Sequence, residues 1–273
     1  MYTRKTVYIV FVFLSLSFGP LRLYGSDPVT WRDVSSSGAG EVYAPVSSFV
    51  NPAALSLSRE RQLLCSYENR FLVKELSSLT ACFEQPTRLV DFSVLVNYFG
   101  YDLYHEIRAG INVSKLLKPD FSLGVRVYYY GLQYVDSEDN ISVVSADIGL
   151  QYIPVDNFRI GVLICNPFRV SYKQGGVEYD LPVSVEAGVE WLLSERCRIR
   201  AAAEKDTRYP VAFKSGIAYD IVAQLELRAG IRTSPFMPTC GIGVRYDCFR
   251  VDAAFSYHSV LGISPALSIG YYF

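Results

Sequence analysis

The sequence lacks several features that mark common protein classes. After residue 25 it has no apolar run of the roughly 18 residues that a transmembrane helix needs, so no such helix is expected. Its 26 basic and 27 acidic residues leave a net charge of −1, which argues against a nucleic-acid partner because such a partner needs a basic face. With only two histidines and no carboxylates at ligand spacing, neither a metal nor another cofactor is expected.

Cysteine motifs are also missing. The six cysteines form no C-x-x-C pair and no metal-binding spacing; they are Cys65, Cys82, Cys165, Cys197, Cys240 and Cys248. Most of them stand within alternating stretches, where cysteine behaves as a small apolar residue. We expect no obligatory disulfide, although an exported protein could form one.

The first 60 residues differ from the rest of the chain. Arg4 and Lys5 precede an apolar run that ends at Phe18, and this run is too short to span a membrane. Residues 1–25 are therefore predicted to be a secretory signal peptide, with an uncleaved anchor as the alternative. Residues 26–60 show no alternation and contain the turn signal Asn51-Pro52, which predicts a compact segment ahead of a β domain at 61–273.

From residue 61 onward the sequence alternates with a period of two. In one example Val251, Phe255 and Tyr257 share one face of a strand, while Arg250 and Asp252 share the other. About fourteen such strands follow one another, mostly near the 9–11 residues of a tilted membrane strand. The predicted fold is an all-β transmembrane antiparallel barrel of about 14 strands. The alternative is a soluble exported β-sandwich, in which the apolar faces would point inward.

Loop lengths support the barrel. Long connections such as 68–77, 131–140 and 166–180 alternate with short ones such as 154–157 and 193–196. Long loops at one end and short turns at the other are typical of outer-membrane barrels. The connection 114–120 is longer than this pattern predicts.

Charged residues fall on the polar faces of the strands, and the apolar faces carry almost none. The predicted lumen-facing charges are Glu106, Arg108, Arg126, Asp147, Glu186, Arg228, Arg245, Arg250 and Asp252. Because acids and bases nearly balance, we expect ion-pair networks that fill the lumen. This argues against an open diffusion porin, which typically has about 16–18 strands.

The chemistry of an enzyme is not supported. Asp252, Ser256 and His258 have the residue types of a hydrolase triad and share one strand face. Neighbours on such a face are about 6.6 Å apart, too far for the hydrogen bonds that a triad needs. The protein is therefore predicted not to be an enzyme, and it has no predicted catalytic residue.

The many aromatic residues favour two girdles at the membrane interfaces over a ligand path. The candidates are Tyr98, Tyr104, Tyr129, Tyr152, Trp191, Tyr219, Tyr257 and Tyr271. The long loop 166–180 carries Phe168, Tyr172, Lys173 and Tyr179, and would be the contact surface if the barrel docks another protein.

These features together resemble a known family. The signal peptide, the run Asn51-Pro52-Ala53-Ala54-Leu55, the fourteen-strand pattern and the terminal Phe273 resemble the FadL-like superfamily of outer-membrane barrels. The end of the chain, 249–273, is similar to the PorV/PorQ-type branch, which is associated with type IX protein secretion. The resemblance implies a protein of the cell outer membrane, in contact with its lipid and lipopolysaccharide.

The resemblance also implies roles for individual residues. Asn51, Pro52 and Ala53 would mark a hatch inside the barrel, and hydrophobic substrates would leave through an opening in the wall. Tyr271 and Phe273 would form the signal that the barrel-assembly machinery reads.

Two functions remain open at this stage: passage of a small hydrophobic compound, or support of protein export, with a secreted protein as partner. A transporter should show a continuous lumenal path and a gap in the wall beside the hatch. A structural or docking barrel should have a sealed wall and a filled lumen, and these features would count against transport.

Overall fold

The computed structural model of the chain describes residues 31–134, 140–174 and 177–273. The predicted signal peptide and Gly175-Gly176 lie outside these ranges. The described strands are β1 (Gln62–Asn69), β2 (Ser77–Gln85), β3 (Asp91–Tyr101), β4 (Tyr104–Lys118), β5 (Phe121–Tyr134), β6 (Ile141–Val155), β7 (Phe158–Cys165), β8 (Ser171–Gln174), β9 (Val177–Asp180), β10 (Ser184–Ser194), β11 (Cys197–Asp206), β12 (Ala212–Val222), β13 (Leu225–Arg232), β14 (Met237–Tyr246), β15 (Phe249–His258) and β16 (Gly262–Tyr272). Short helices are α1 (Val34–Ser37) and α2 (Leu55–Ser58), with 3₁₀ turns at Pro52–Ala54, Arg70–Leu72 and Lys74–Leu76.

Fourteen of these strands close into one antiparallel barrel. Each strand pairs with its neighbours in the chain, apart from two junctions: β7 pairs with β10, and β1 closes the barrel against β16. The remaining two strands, β8 and β9, form a separate hairpin within the connection from β7 to β10. The predicted fourteen-stranded barrel is confirmed, because the alternating pattern of each strand records an outer and an inner environment.

The two ends of the barrel differ in their connections. At the end where β1 begins and β16 ends, two-residue turns predominate, such as Pro119–Asp120, Asp156–Asn157 and Asp247–Cys248. We call this the turn end and the opposite end the loop end. The connection that was expected to be long, 114–120, is a two-residue turn, because β4 continues to Lys118. The loop end carries the β8–β9 hairpin and the two 3₁₀ turns after β1.

The outer face of the barrel is apolar. In β3 the side chains of Phe92, Val94 and Val96 are exposed, while those of Ser93 and Asn97 between them are buried. Exposed leucine, isoleucine, valine and aromatic side chains recur on every barrel strand except β7, where the outward-facing Phe158, Ile160, Val162 and Ile164 are partly exposed. A continuous apolar surface of this kind is what a lipid environment stabilises. Among the described residues, no helix is both long and apolar enough to cross a membrane.

Tyr104 is an exception to the predicted aromatic girdles, and its prediction was wrong. Its hydroxyl donates a hydrogen bond to the carboxylate of Glu106, and its ring packs against the buried cluster inside the barrel. Residues two apart on a strand share a face, so Tyr104 lies on the lumenal face with Glu106. The other girdle candidates Tyr98, Tyr129, Tyr152, Trp191, Tyr219 and Tyr257 are exposed on the outer face.

Candidate functional site

The lumen is occupied by the chain's own residues 31–58, which we call the hatch. Ala39, Val42, Ala44, Ala53 and Leu55 have no or almost no exposed surface, although they belong to a segment that precedes every barrel strand. The hatch contains α1, the Pro52–Ala54 turn and α2, and it contacts strands on both sides of the barrel. The candidate functional site is this hatch together with the lumenal wall around it.

Glycines in the wall let the hatch backbone lie directly on the strands. Gly124 and Gly149 stand opposite each other on β5 and β6, and a Cβ on Gly149 would lie 2.0 Å from Asn51 Oδ1. Two more cross-strand pairs serve the same purpose; they are Gly161–Gly188 and Gly216–Gly230. At most of these glycine positions a side chain would overlap the hatch backbone. The wall and the hatch are therefore complementary in shape.

Asn51 is the centre of the hatch. Its Oδ1 accepts the N–H of Ala53 at 3.0 Å and so begins the 3₁₀ turn, with Pro52 at the first helical position. Its Nδ2 donates to the carbonyl oxygen of Ala44 at 2.7 Å and to those of Leu150 and Val162 at 3.3 Å. The side chain that the resemblance assigned to the hatch therefore links two hatch segments and two wall strands.

Polar wall side chains hold the hatch backbone at further points. Glu186 Oε1 accepts the N–H groups of Tyr43 and Ala44 at 2.8 and 2.7 Å. On the opposite wall, Arg126 Nη2 donates to the Phe49 carbonyl oxygen at 2.7 Å, and Ser122 Oγ donates to that of Ala53 at 2.8 Å. These contacts come from strands on both sides of the barrel.

Further contacts lie on β4, β13 and β14. The Ser56 and Ser114 hydroxyls are 2.5 Å apart, Arg228 Nη1 donates to the Ser35 carbonyl oxygen at 2.8 Å, and Thr239 Oγ1 accepts the Gly40 N–H at 2.9 Å. Together with Asn51, these groups tie the hatch to strands around most of the barrel.

Charged groups surround the hatch on the β10–β13 side. Glu41 is buried and bonds Arg232 at 2.8 Å and Arg32 at 3.3 Å. Burial alone would raise the pKa of Glu41, but the charges of Arg32, Arg232 and Lys214 outweigh it and lower the pKa to about 2. Lys214 lies between Glu186 and Glu204, at 2.6 and 2.9 Å. Glu41 is therefore ionised and fixes the hatch through ion pairs.

Nearer the turn end, a second network joins the three strands β11, β13 and β15. Arg228 bonds Glu226 and Asp252, Arg250 bonds Asp252 at 2.9 Å, and Arg198 bonds Glu226 at 2.7 Å. The network places Arg228, Arg250 and Asp252 together inside the lumen.

The other predicted lumenal charges lie apart from this network. Arg126 bonds Asp147 at 3.5 Å, and Arg108 donates to Asn97 Oδ1 at 3.1 Å. Arg245 lies exposed at the turn-end mouth of the lumen, where it lines a cavity.

The side of the lumen formed by β3 to β7 holds an apolar cluster beside the buried pair Arg126–Asp147. The hatch contributes Trp31, Tyr43, Phe49 and Val50 to a buried cluster. The wall and the β7–β10 connection contribute Leu95, Tyr128, Tyr130, Leu132, Ile141, Leu163 and Leu181. Trp31 meets Phe49 and Tyr128 edge to face and lies 4.9 Å from the Arg126 guanidinium. Trp31 could not be predicted as a lumenal residue, because it stands outside any alternating stretch.

The barrel wall has no interruption beside the hatch within the described residues. Register shifts occur only near the turn end, at 116/118, 152/155, 192/194 and 220/222. Strands β1 to β4 pair continuously along their shared lengths. The hatch occupies much of the lumen: a cavity of about 20 Å³ remains between Trp31 and the loop-end ion pairs, and cavities of about 240 and 160 Å³ remain toward the turn end. A paired wall and an occupied lumen are the features predicted above for a structural or docking barrel, and they argue against a standing open path.

The triad residues do not form a catalytic arrangement. Asp252 is bonded to arginines, and His258 Nδ1 accepts the backbone N–H groups of Val260 and Leu261 at the loop end. No group of three His, Cys, Asp or Glu side chains is placed to hold a metal ion in the part of the chain that the structure describes.

At the end of the chain, the N–H of Phe273 donates to the Arg61 carbonyl oxygen at 3.0 Å. Its exposed ring lies 4.6 Å from the Arg61 guanidinium and meets the ring of Tyr271 edge to face. The residues of the predicted assembly signal thus lie on the outer face at the turn end.

No family model and no curated protein matches the sequence. Solved structures do match its fold. A FadL homologue of Pseudomonas aeruginosa aligns over 89% of this chain and 98% of its own, with 13% identity and a TM-score of 0.64. The toluene transporter TodX of Pseudomonas putida aligns over 92% and 99%, with 14% identity and a TM-score of 0.63. The chain therefore shares the fold of these proteins.

CymD, a monoaromatic hydrocarbon channel, shares this fold, with 12% identity over 93% of this chain and 99% of its own and a TM-score of 0.66. These structures are a transporter, a channel and a FadL homologue by name.

Proposed function

We propose that this protein is an outer-membrane barrel that passes a small hydrophobic compound, and that its hatch closes the path at rest. The observation that carries the proposal is the buried apolar cluster between the hatch and the wall strands β3 to β7. Ion pairs and hydrogen bonds alone would be enough to fill a barrel. The apolar cluster includes Leu95, Tyr128 and Leu163 of the wall, and these provide a surface that favours an apolar guest.

At rest the hatch occupies that surface. Phe49 and Val50 lie where an apolar molecule would contact the wall, and the strands beside them are fully paired. A standing open path is therefore not the mechanism. Passage requires the hatch to withdraw these side chains, so that the guest replaces the apolar contacts that the hatch gives up.

A disulfide that links the hatch to the barrel wall tests this mechanism. Ser56 Oγ and Ser114 Oγ are 2.5 Å apart, close to the reach of an S–S bond, so Ser56→Cys with Ser114→Cys should link hatch to wall on oxidation. Cells that make the wild-type chain should take up toluene and a long-chain fatty acid, the two probes, faster than cells without it. Oxidised double-cysteine cells should lose at least one of these gains, and reductant should restore it.

The single variant Ser56→Cys is the matched control, because it carries the same thiol without a partner at Ser114. It should behave as wild type under oxidant. Equal uptake with and without the wild-type chain for both probes, or uptake that the locked hatch leaves unchanged, would contradict the proposal.

A second candidate is a docking barrel that supports protein export, as the PorV/PorQ-type resemblance suggests. The observation that favours it is the sealed wall combined with the β8–β9 hairpin, beside which Phe168 is 72% exposed. Tyr172 and Tyr179 stack across the hairpin with ring centroids 5.7 Å apart. If this function is correct, Phe168→Ser should reduce the amount of at least one surface protein while uptake of both probes stays at the wild-type rate.

The location and the partners belong to the same proposal. The apolar outer face suits outer-membrane lipid and lipopolysaccharide, and the proposed partner in biogenesis is the barrel-assembly machinery. Recovery of the protein in the outer-membrane fraction, and only with detergent, is the expected result.

A further inference from the structure

The turn end of the lumen contains a cavity that the proposed passage does not use. It has a volume of about 240 Å³ and lies between α1 of the hatch and the starts and ends of six strands. Its lining includes Arg159, Arg198, Arg200, Arg245 and Arg250. Five guanidinium groups around one cavity concentrate positive charge at this end of a chain whose net charge is −1.

Carboxylates neutralise only part of this charge. The lining contains three of them, Asp156, Glu190 and Glu226, which leaves two positive charges in excess. Glu190 bonds Arg200 at 2.8 Å, and Glu226 bonds Arg198 at 2.7 Å. Behind the lining, Arg228, Asp220 and Asp252 reduce the excess to one.

The excess positive charge lies on arginine side chains that face the opening of the cavity. Arg245 is exposed at the mouth and makes no side-chain hydrogen bond or ion pair among the described residues. Arg159 is half-exposed, and its one contact, to Glu190, is 3.8 Å long. Arg198, by contrast, is bound by two carboxylates, Asp220 at 2.9 Å and Glu226 at 2.7 Å. The donors of Arg245 and Arg159 are therefore the ones open to an anion that enters the cavity.

We propose that this cavity, the turn-end vestibule, binds a small soluble oxyanion, a molecule that carries a carboxylate or phosphate group. Guanidinium groups present paired N–H donors that match the geometry of both groups. The donors point into the lumen rather than toward the outer face, so the ligand enters from the aqueous turn side and not from the lipid. The Ser35 and Ser36 residues of the hatch line the same space, so a bound anion contacts hatch and wall together.

Isothermal titration of the full chain in an uncharged detergent tests the proposal, with inorganic phosphate and citrate as separate probes. The wild type should bind at least one of them, and the probe that binds identifies the group. Arg245→Gln should weaken binding at least fivefold, and Arg159→Gln with Arg245→Gln should abolish it. Raising the salt concentration should weaken wild-type binding.

Arg196→Gln is the matched control, because Arg196 is an exposed arginine at the same end that does not line the vestibule. It should bind as wild type does. The variants should melt at the wild-type temperature, since none of the substituted side chains is buried. The proposal is overturned if neither probe binds the wild type, or if Arg245→Gln and Arg196→Gln bind equally well.

Discussion

The close contact between the hatch and the wall can be tested by adding a single methyl group to a wall glycine. In Gly149→Ala the new Cβ would lie 2.0 Å from Asn51 Oδ1, whereas real Cβ contacts are essentially never closer than 3.0 Å. Asn51 must therefore move by about 1 Å or more. The neighbouring Gly124 leaves no room on the other side, because its own Cβ position is 2.4 Å from the Ala53 nitrogen.

A movement of this size breaks the longer hydrogen bonds of Asn51. Those to the carbonyl oxygens of Leu150 and Val162 are already 3.3 Å long, and the bond from the Ala53 N–H depends on the same side chain. Losing two or three such bonds at about 1 kcal/mol each destabilises the seated hatch by about 2–3 kcal/mol. Since 1.4 kcal/mol is a factor of ten, the unseated population should rise by about 30- to 150-fold.

Single-channel recording in planar bilayers measures this population as the frequency of brief openings. Gly149→Ala should open far more often than wild type. Gly270→Ala is the control, because Gly270 also faces the lumen. A Cβ added there would lie 3.5 Å from the nearest atom, in the Tyr272 ring, which is an ordinary contact distance. If Gly149→Ala opens no more often than Gly270→Ala and melts at the same temperature, the reasoning about the hatch seat is wrong.

Three further changes probe other parts of the same arrangement. Because the pKa of Glu41 is lowered to about 2, its ionised form stabilises the bound hatch by about 3 kcal/mol above pH 4.5, and this is lost as the pH falls through 2. In thermal melts the advantage of wild type over Glu41→Gln at pH 7 should therefore shrink to less than half at pH 3. Arg126→Met leaves Asp147 buried without its ion pair and should lower the unfolding free energy by about 3–5 kcal/mol in urea titrations. Adding Asp147→Asn to Arg126→Met should lower the unfolding free energy by less than Arg126→Met itself does. Phe273→Asp should reduce the amount of barrel in the outer membrane, as seen by fractionation, while Phe273→Tyr should not.

Much of the barrel could be predicted from the sequence because each strand lies between two different environments. The alternation of apolar and polar residues records the wall directly, and it assigned Arg126, Asp147 and Glu186 to the polar faces where the structure places them. It failed for Tyr104, where an aromatic residue was assigned to lipid by its type although it shares the face of Glu106. It also missed the full length of β4, since Lys115 and Lys118 do not look like strand residues.

The path of the hatch could not be predicted in this way. Its contacts join residues far apart in the chain, such as Tyr43 with Glu186 and Gly40 with Thr239, and no periodicity announces them. One signal was available: glycines stand on the polar faces of many consecutive strands, among them Gly124, Gly149 and Gly161. Cross-strand glycines on a lumenal face indicate that another backbone lies against them.

The hatch is not held equally on its two sides, and this decides how it can move. On the β10–β13 side its backbone bonds Glu186 and its own Glu41 pairs with Arg232, and breaking such a buried ion pair costs about 3–5 kcal/mol. On the β4–β6 side one charge-assisted bond, from Arg126 to the Phe49 carbonyl oxygen, stands beside bonds from Ser122 and Ser114 between neutral groups, at about 1 kcal/mol each. The easier movement therefore opens the β3–β7 side, where the apolar cluster lies. A hatch that pivots on its ion pairs would expose that wall to a hydrophobic guest while its charged side stays closed.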